Sequence, residues 1–117
     1  MTRPIKFRVW DKILGRYIPF SSFLSFDSPE YVFQQYTGLE DKEGREVYEG
    51  DIVSWSEYQG WEDGRTFCGY YEVRWNEGAL RFDFYDPFDS YWWELNNTRF
   101  DNVVGNIFEN PNLIKAK

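Results

Sequence analysis

The stretch that decides the fold class is Tyr71-Glu72-Val73-Arg74-Trp75-Asn76-Glu77-Gly78-Ala79-Leu80-Arg81-Phe82-Asp83-Phe84. Tyr71, Val73 and Trp75 alternate with Glu72 and Arg74, and beyond the turn Leu80, Phe82 and Phe84 alternate with Arg81 and Asp83. A strict period of two belongs to a strand with one buried face. Asn76-Glu77-Gly78-Ala79 supplies turn chemistry between the two runs. Pairing Trp75 with Leu80 sets Val73 opposite Phe82 and Tyr71 opposite Phe84. All six apolar side chains then share one face, the condition that specifies a register. On the opposite face, Glu72 lies diagonal to Arg81 and Arg74 diagonal to Asp83.

Outward from this hairpin the same period recurs. Residues 5–10 alternate as a half-buried strand, with Ile5, Phe7 and Val9 on one side and Lys6, Arg8 and Trp10 on the other. Asp11 to Gly15 is a turn, and residues 16–20 return from it. Pro19 lacks an N–H, so that strand belongs at an edge or ends there. Residues 21–30 are Ser-rich and read as a loop. Ser28-Pro29-Glu30 also fits a helix start, so residues 29–36 are open to a short helix or, preferred for their aromatic and β-branched content, a strand over 31–36. Asp41-Lys42-Glu43-Gly44 and Glu49-Gly50-Asp51 are turns, and the second launches Ile52-Val53-Ser54-Trp55. Residues 59–65 form an exposed loop that carries Trp61. Asp86-Pro87 ends the hairpin. Residues 91–95 and 103–108 are further strands, and residues 112–117 form a fraying tail.

Short strands at close turn spacing predict a mainly β fold, a barrel or sandwich, with a small barrel or roll preceded by an N-terminal β-hairpin preferred. The 117 residues fit one domain, 1–117. No repeat, linker or low-complexity block divides them. A 22% aromatic share supplies ample area for a core.

Composition removes most chemistry. The chain has no His and one Cys, so no internal disulfide and no zinc cluster can be drawn. Cys68 reads as a small buried hydrophobe within an aromatic strand, with Arg65 the only nearby cation. Nucleophilic catalysis would lack its usual base. Asp83, Asp86 and Asp89 with Glu94 could hold a hard cation, but they lack the ligand alternation of a calcium loop and Pro87 interrupts them. No phosphate-binding Gly loop is present. The expectation is no enzyme, no catalytic or metal site and no cofactor.

Charge is uneven. Residues 1–16 net +4, and the remainder nets −11. An acidic body repels phosphate, which disfavours nucleic acid as a partner. The basic head could instead pair with the acidic body, in the same chain or a neighbour, although a plainly solvated surface is the simpler expectation. With no signal sequence and no apolar run of membrane length, the expected location is the host cytoplasm. Trp61, Tyr70 and Tyr85, with Arg74 beside them, are the candidate partner-binding residues, because Trp, Tyr and Arg anchor protein interfaces. The partner would be another protein or a second copy of the chain.

Four segments carry a family resemblance. They are Ile5-Lys6-Phe7-Arg8-Val9-Trp10-Asp11-Lys12; Gln35-Tyr36-Thr37-Gly38-Leu39-Glu40-Asp41-Lys42-Glu43-Gly44-Arg45-Glu46-Val47-Tyr48-Glu49-Gly50-Asp51-Ile52-Val53; Tyr71-Glu72-Val73-Arg74-Trp75; and Val103-Val104-Gly105-Asn106-Ile107-Phe108-Glu109-Asn110-Pro111. The chain resembles the YopX family of phage and prophage proteins. The resemblance implies an SH3-like part in the C-terminal half and a phage or prophage origin. It brings no agreed activity and no catalytic residues. Read physically, Gly38, Gly44, Gly50 and Gly105 would serve backbone geometry, and Trp10, Tyr36, Tyr48 and Ile52 the core. Three roles stay open: a protein-binding or self-assembling accessory protein, an acidic nucleic-acid mimic that inhibits a host or defence enzyme, and a nucleic-acid-binding barrel.

Overall fold

The structure is a computed structural model that describes residues 5–19, 30–58, 66–88, 90–95 and 100–114, without the side chains of 57, 58 and 66–68. Within these residues the fold is mainly β, as expected. Nine strands run in the order β1 (Phe7–Asp11), β2 (Arg16–Ile18), β3 (Tyr31–Glu40), β4 (Glu46–Tyr48), β5 (Asp51–Tyr58), β6 (Thr66–Asn76), β7 (Arg81–Asp86), β8 (Tyr91–Glu94) and β9 (Val103–Asn106). They form a four-stranded sheet, β2-β1-β3-β4, and a five-stranded sheet, β8-β7-β6-β5-β9. The pairings are antiparallel, and the larger sheet curls into a half-barrel.

The N-terminal hairpin forms as read. The Asp11 carboxylate accepts the Ile13 and Leu14 N–H groups, which ties its turn. β2 is the edge strand and stops before Pro19. Residues 31–36 are strand, and β3 runs on to Glu40. β1, however, is not half-buried on a single face: at its C-terminal end Val9 is fully buried on one side and Trp10 on the other. Ile5 and Phe7 are exposed, whereas Trp10 is buried and stacked 4.7 Å from the Phe108 ring. The Arg8–Trp10 side packs on the second sheet. Arg8 is tolerated there because a buried carboxylate meets it.

The deciding hairpin also differs in one respect. Val73 pairs with Phe84 and Trp75 with Phe82, a register displaced by two residues. The cause is the loop. The Asn76 side-chain oxygen accepts the Gly78 and Ala79 N–H groups, and Leu80 adopts φ 54° inside the turn instead of joining the strand. A shift of two keeps every side chain on its face, so the strand assignment survives while its ends do not. Leu80 is 76% exposed and Trp75 43% exposed, outside the core. The charged pairs also run along the strands, Arg74 to Glu72 and Arg81 to Asp83, each at 2.9 Å.

The core lies on one face of the half-barrel. Trp55, Tyr71 and Phe84 stack in series across β5, β6 and β7 with centroid spacings of 5.5 and 5.4 Å. Val53, Val73 and Phe100 fill around them. Val47 and Leu39, from the far end of the smaller sheet, close this core. Trp10, Tyr36 and Ile52 are buried as expected, and Tyr48 is half-buried. Residues 111–114 are a 3-10 helix where fraying was expected, and the Leu113 N–H bonds the Asn110 carbonyl.

Candidate functional site

Two polar-aromatic clusters stand out, one between the sheets and one on the outer face of the half-barrel. The inner cluster joins Tyr48, Glu49, Gly50 and Asp51 of the long middle motif to Arg8, Tyr17 and Gln34. Glu49 and Gly50 carry the chain from one sheet to the other: the Glu49 N–H bonds the Gln35 carbonyl and the Gly50 N–H bonds the Val73 carbonyl. Gly50 has φ 85°, and a Cβ there would lie 2.1 Å from Gln34 Nε2. Gln34 is held against it, because its Oε1 accepts Arg8 Nε at 2.8 Å and the Tyr17 hydroxyl at 3.0 Å. Arg8 reaches on to Asp51 Oδ1 at 2.6 Å and lies over the rings of Tyr17 and Tyr48. The other Asp51 oxygen accepts the Tyr48 N–H.

This cluster is buried, and its titration follows. Burial pushes the Asp51 carboxyl above its usual range, against the pull of Arg8 and the Tyr48 N–H. Burial likewise lifts the Tyr17 phenol to about 12, against the nearby Arg8 charge. The basic head therefore pairs with the acidic body in the same chain, through Arg8 to Asp51 and Lys6 to Glu46. Asp41 is a second motif carboxylate with a structural task. Burial works against its charge, yet the Val103, Arg45 and Glu43 N–H groups together hold it below its usual range. Gly105 serves close approach, since a Cβ would meet Asn110 Oδ1 at 2.3 Å.

The outer cluster uses the same chemistry without enclosure. The Arg74 guanidinium lies 4.2 Å over the Tyr85 ring, and Trp92 packs 4.9 Å from the same ring. Cross-strand pairing of Glu72 with Tyr85, and of Tyr85 with Trp92, sets these groups side by side on β6, β7 and β8. Of the expected partner-binding residues, Arg74 and Tyr85 are brought together. Tyr70 is half-buried on the same face of β6, with Glu72 between it and Arg74. Trp61 lies outside the described residues. Trp92, 37% exposed, is a member that the sequence reading missed. The signal available was parity: Trp92 shares its face with Tyr85 once the β7–β8 register is known.

The carboxylate run does not converge. Asp83 and Asp86 stand three apart on one strand and point to opposite faces. Asp83 accepts Arg81 Nε and Asn76 Nδ2, and Asp86 accepts the Phe88 N–H. Asp89 lies outside the described residues. Among the described residues no group of three potential metal ligands occurs. Cys68 sits opposite Ser56 on β6, and its side chain is outside the described part. No helix among the described residues is long and apolar enough to cross a membrane.

A groove of about 340 Å³ opens beside both clusters, between β3 and the end of β6. Glu49, Glu72, Glu77, Arg74, Trp75 and Phe33 contribute to its walls. Among the described residues it holds no arrangement of nucleophile and base.

Comparison with known proteins agrees with this architecture. The chain is similar to protein EF1440 from Enterococcus faecalis, with 23% identity, a TM-score of 0.62, and coverage of 97% of this chain and 100% of that one. That likeness concerns the fold. No curated protein matches the sequence. The family described as YopX protein matches residues 21–115. YopX is not a known enzyme family. The motif residues that build the inner cluster and the match over most of the chain agree: this protein belongs to the YopX family.

Proposed function

We propose that this chain acts as a single, non-enzymatic phage or prophage accessory domain that binds another protein in the host cytoplasm. The half-barrel serves as its SH3-like platform. The observation that carries the reading is the outer cluster: Arg74 and Trp92 both rest on Tyr85 and both keep substantial exposed surface. Rings and guanidinium already held by one another lose little freedom on binding, and Trp, Tyr and Arg dominate interface energetics. The test is capture from nuclease-treated host lysate by the tagged protein and by Trp92→Ala, with Ile13→Ser as a surface control. One protein retained by the parent and the control but lost by Trp92→Ala supports the reading. Equal capture by all three removes the face from consideration. Capture of the chain by itself alone makes self-assembly the function of this face.

One observation favours a second reading, the acidic mimic of nucleic acid. Lys6 and Arg8 are engaged with Glu46 and Asp51, so they do not offset the acidic excess elsewhere. This reading expects steep weakening of partner binding with salt and competition by duplex DNA. Salt-indifferent binding rejects it. A direct nucleic-acid groove is disfavoured by the same pairing, because two cations of the basic head, Lys6 and Arg8, are engaged within the chain.

A further inference from the structure

The groove between the sheets has a definite chemical character. Its floor is fixed where the Gly50 N–H bonds the Val73 carbonyl. Trp75 and Phe33 give it aromatic wall, and Trp75 keeps 43% of its surface exposed. Three carboxylates line it, Glu49, Glu72 and Glu77, against one cation, Arg74. Glu72 is neutralised by Arg74 at 2.9 Å. Glu49 and Glu77 form no ion pair with a lysine or arginine among the described residues. Glu49 is half-buried, and burial lifts its carboxyl above the usual range against a backbone hydrogen bond with Gln35. An unpaired, partly desolvated carboxylate beside an aromatic wall favours a cation with an organic stem. A bare metal ion fits less well, because among the described residues no three ligands converge.

We infer that this groove receives an arginine or lysine side chain from the protein docked on the Arg74–Tyr85–Trp92 face. The inference rests on the protein-binding reading above. Arg74 joins the two surfaces, since it lines the groove and lies over Tyr85. The partner segment is therefore basic and crosses from the outer cluster into the groove.

The test is a titration of the isotopically labelled protein with N-acetyl-arginine amide, with N-acetyl-citrulline amide as the neutral isostere. Saturable NMR shifts are expected at the Gly50, Val73 and Trp75 amides with arginine and not with citrulline. Glu49→Gln leaves an oxygen to accept the Gln35 hydrogen bond, and Glu77→Gln lies in an exposed turn. Each should weaken arginine binding by about two- to fivefold, the range of a partly exposed charge pair. Equal shifts with citrulline, or unchanged arginine binding in both variants, overturn the inference. If Glu49→Gln loses its folded spectrum, Glu77→Gln alone decides: weakened arginine binding supports the groove and unchanged binding overturns it. The two proposals fail separately. Partner capture lost with Trp92→Ala but unchanged with Glu49→Gln and Glu77→Gln overturns the groove and leaves the outer face standing. Capture unchanged with Trp92→Ala removes the outer face and, with it, the route into the groove.

Discussion

Two arginines in this chain do the same thing in different surroundings. Arg8 lies over Tyr17 and Tyr48 between the sheets, and Arg74 lies over Tyr85 on the outside of the half-barrel. Arg8 has a carboxylate at 2.6 Å that is almost fully buried, a glutamine oxygen and a ring on either side. Arg74 has one ring and one glutamate, and nearly half of its side chain meets solvent. The first arrangement ties its guanidinium to Gln34 and Asp51 and so fixes how two sheets meet. The second holds its groups in place and leaves their outer surfaces free. Identical pair chemistry is therefore structural in one place and available for recognition in the other, and burial makes the difference.

The comparison breaks first at Arg8. Arg8→Ala would leave the Asp51 carboxylate buried without its cation, which costs about 3–5 kcal/mol. Urea unfolding should show the loss, and Arg8→Met with Asp51→Asn should recover part of it. A cost under about 1 kcal/mol would mean that the pair is as weak as a surface bridge. Gly50→Ala comes next. The new Cβ would collide with Gln34 Nε2, and the φ of 85° is strained for any side chain. Gln34 can retreat only by giving up Arg8 and Tyr17. Strain and displaced hydrogen bonds together should cost about 2–4 kcal/mol, read from the same unfolding midpoint.

How far the sequence announces these regions depends on what each link of the chain of causes needs. Alternation in residues 71–75 and 80–84 shows strands and their faces, because the period is local. The register is not local. It turns on Asn76 capping two amides and on Leu80 adopting a left-handed conformation, and neither is written in hydrophobic pattern. β4 leaves little trace in the sequence because only Val47 of its three residues is buried. Trp92 and Trp93 are indistinguishable as neighbours in sequence. Pairing of Tyr85 with Trp92 and of Phe84 with Trp93 sends one to the outer cluster and the other to the core. Arg8 reads as a solvated head group in the sequence because its partner, Asp51, lies 43 residues away.

A smaller effect tests the inner cluster through pH. The Tyr17 phenol is raised from 10.0 to about 12 by burial. The fold thus prefers the neutral ring. Its contribution is complete below pH 10 and is lost as pH rises through about 12. Tyr17→Phe should cost about 1 kcal/mol near neutrality, where the hydroxyl bonds Gln34. Between pH 10 and 12 its stability should fall less than that of the parent, so the two curves converge. Parallel curves over that interval would mean that the Tyr17 phenol ionises freely in the folded protein.

The smallest effect on stability belongs to Trp92, and that smallness is the informative part. Trp92 lies on the edge strand β8, gives one ring contact to Tyr85 and keeps over a third of its surface in water. A cross-strand aromatic pair at such a place contributes about 0.2–1 kcal/mol. Trp92→Ala should therefore unfold within about 1 kcal/mol of the parent, while partner capture is lost. If instead it destabilises the protein as much as Arg8→Ala does, the outer cluster belongs to the fold as fully as the inner one. The contrast between the two arginines would then be one of degree, and Trp92 would no longer be available as an anchor.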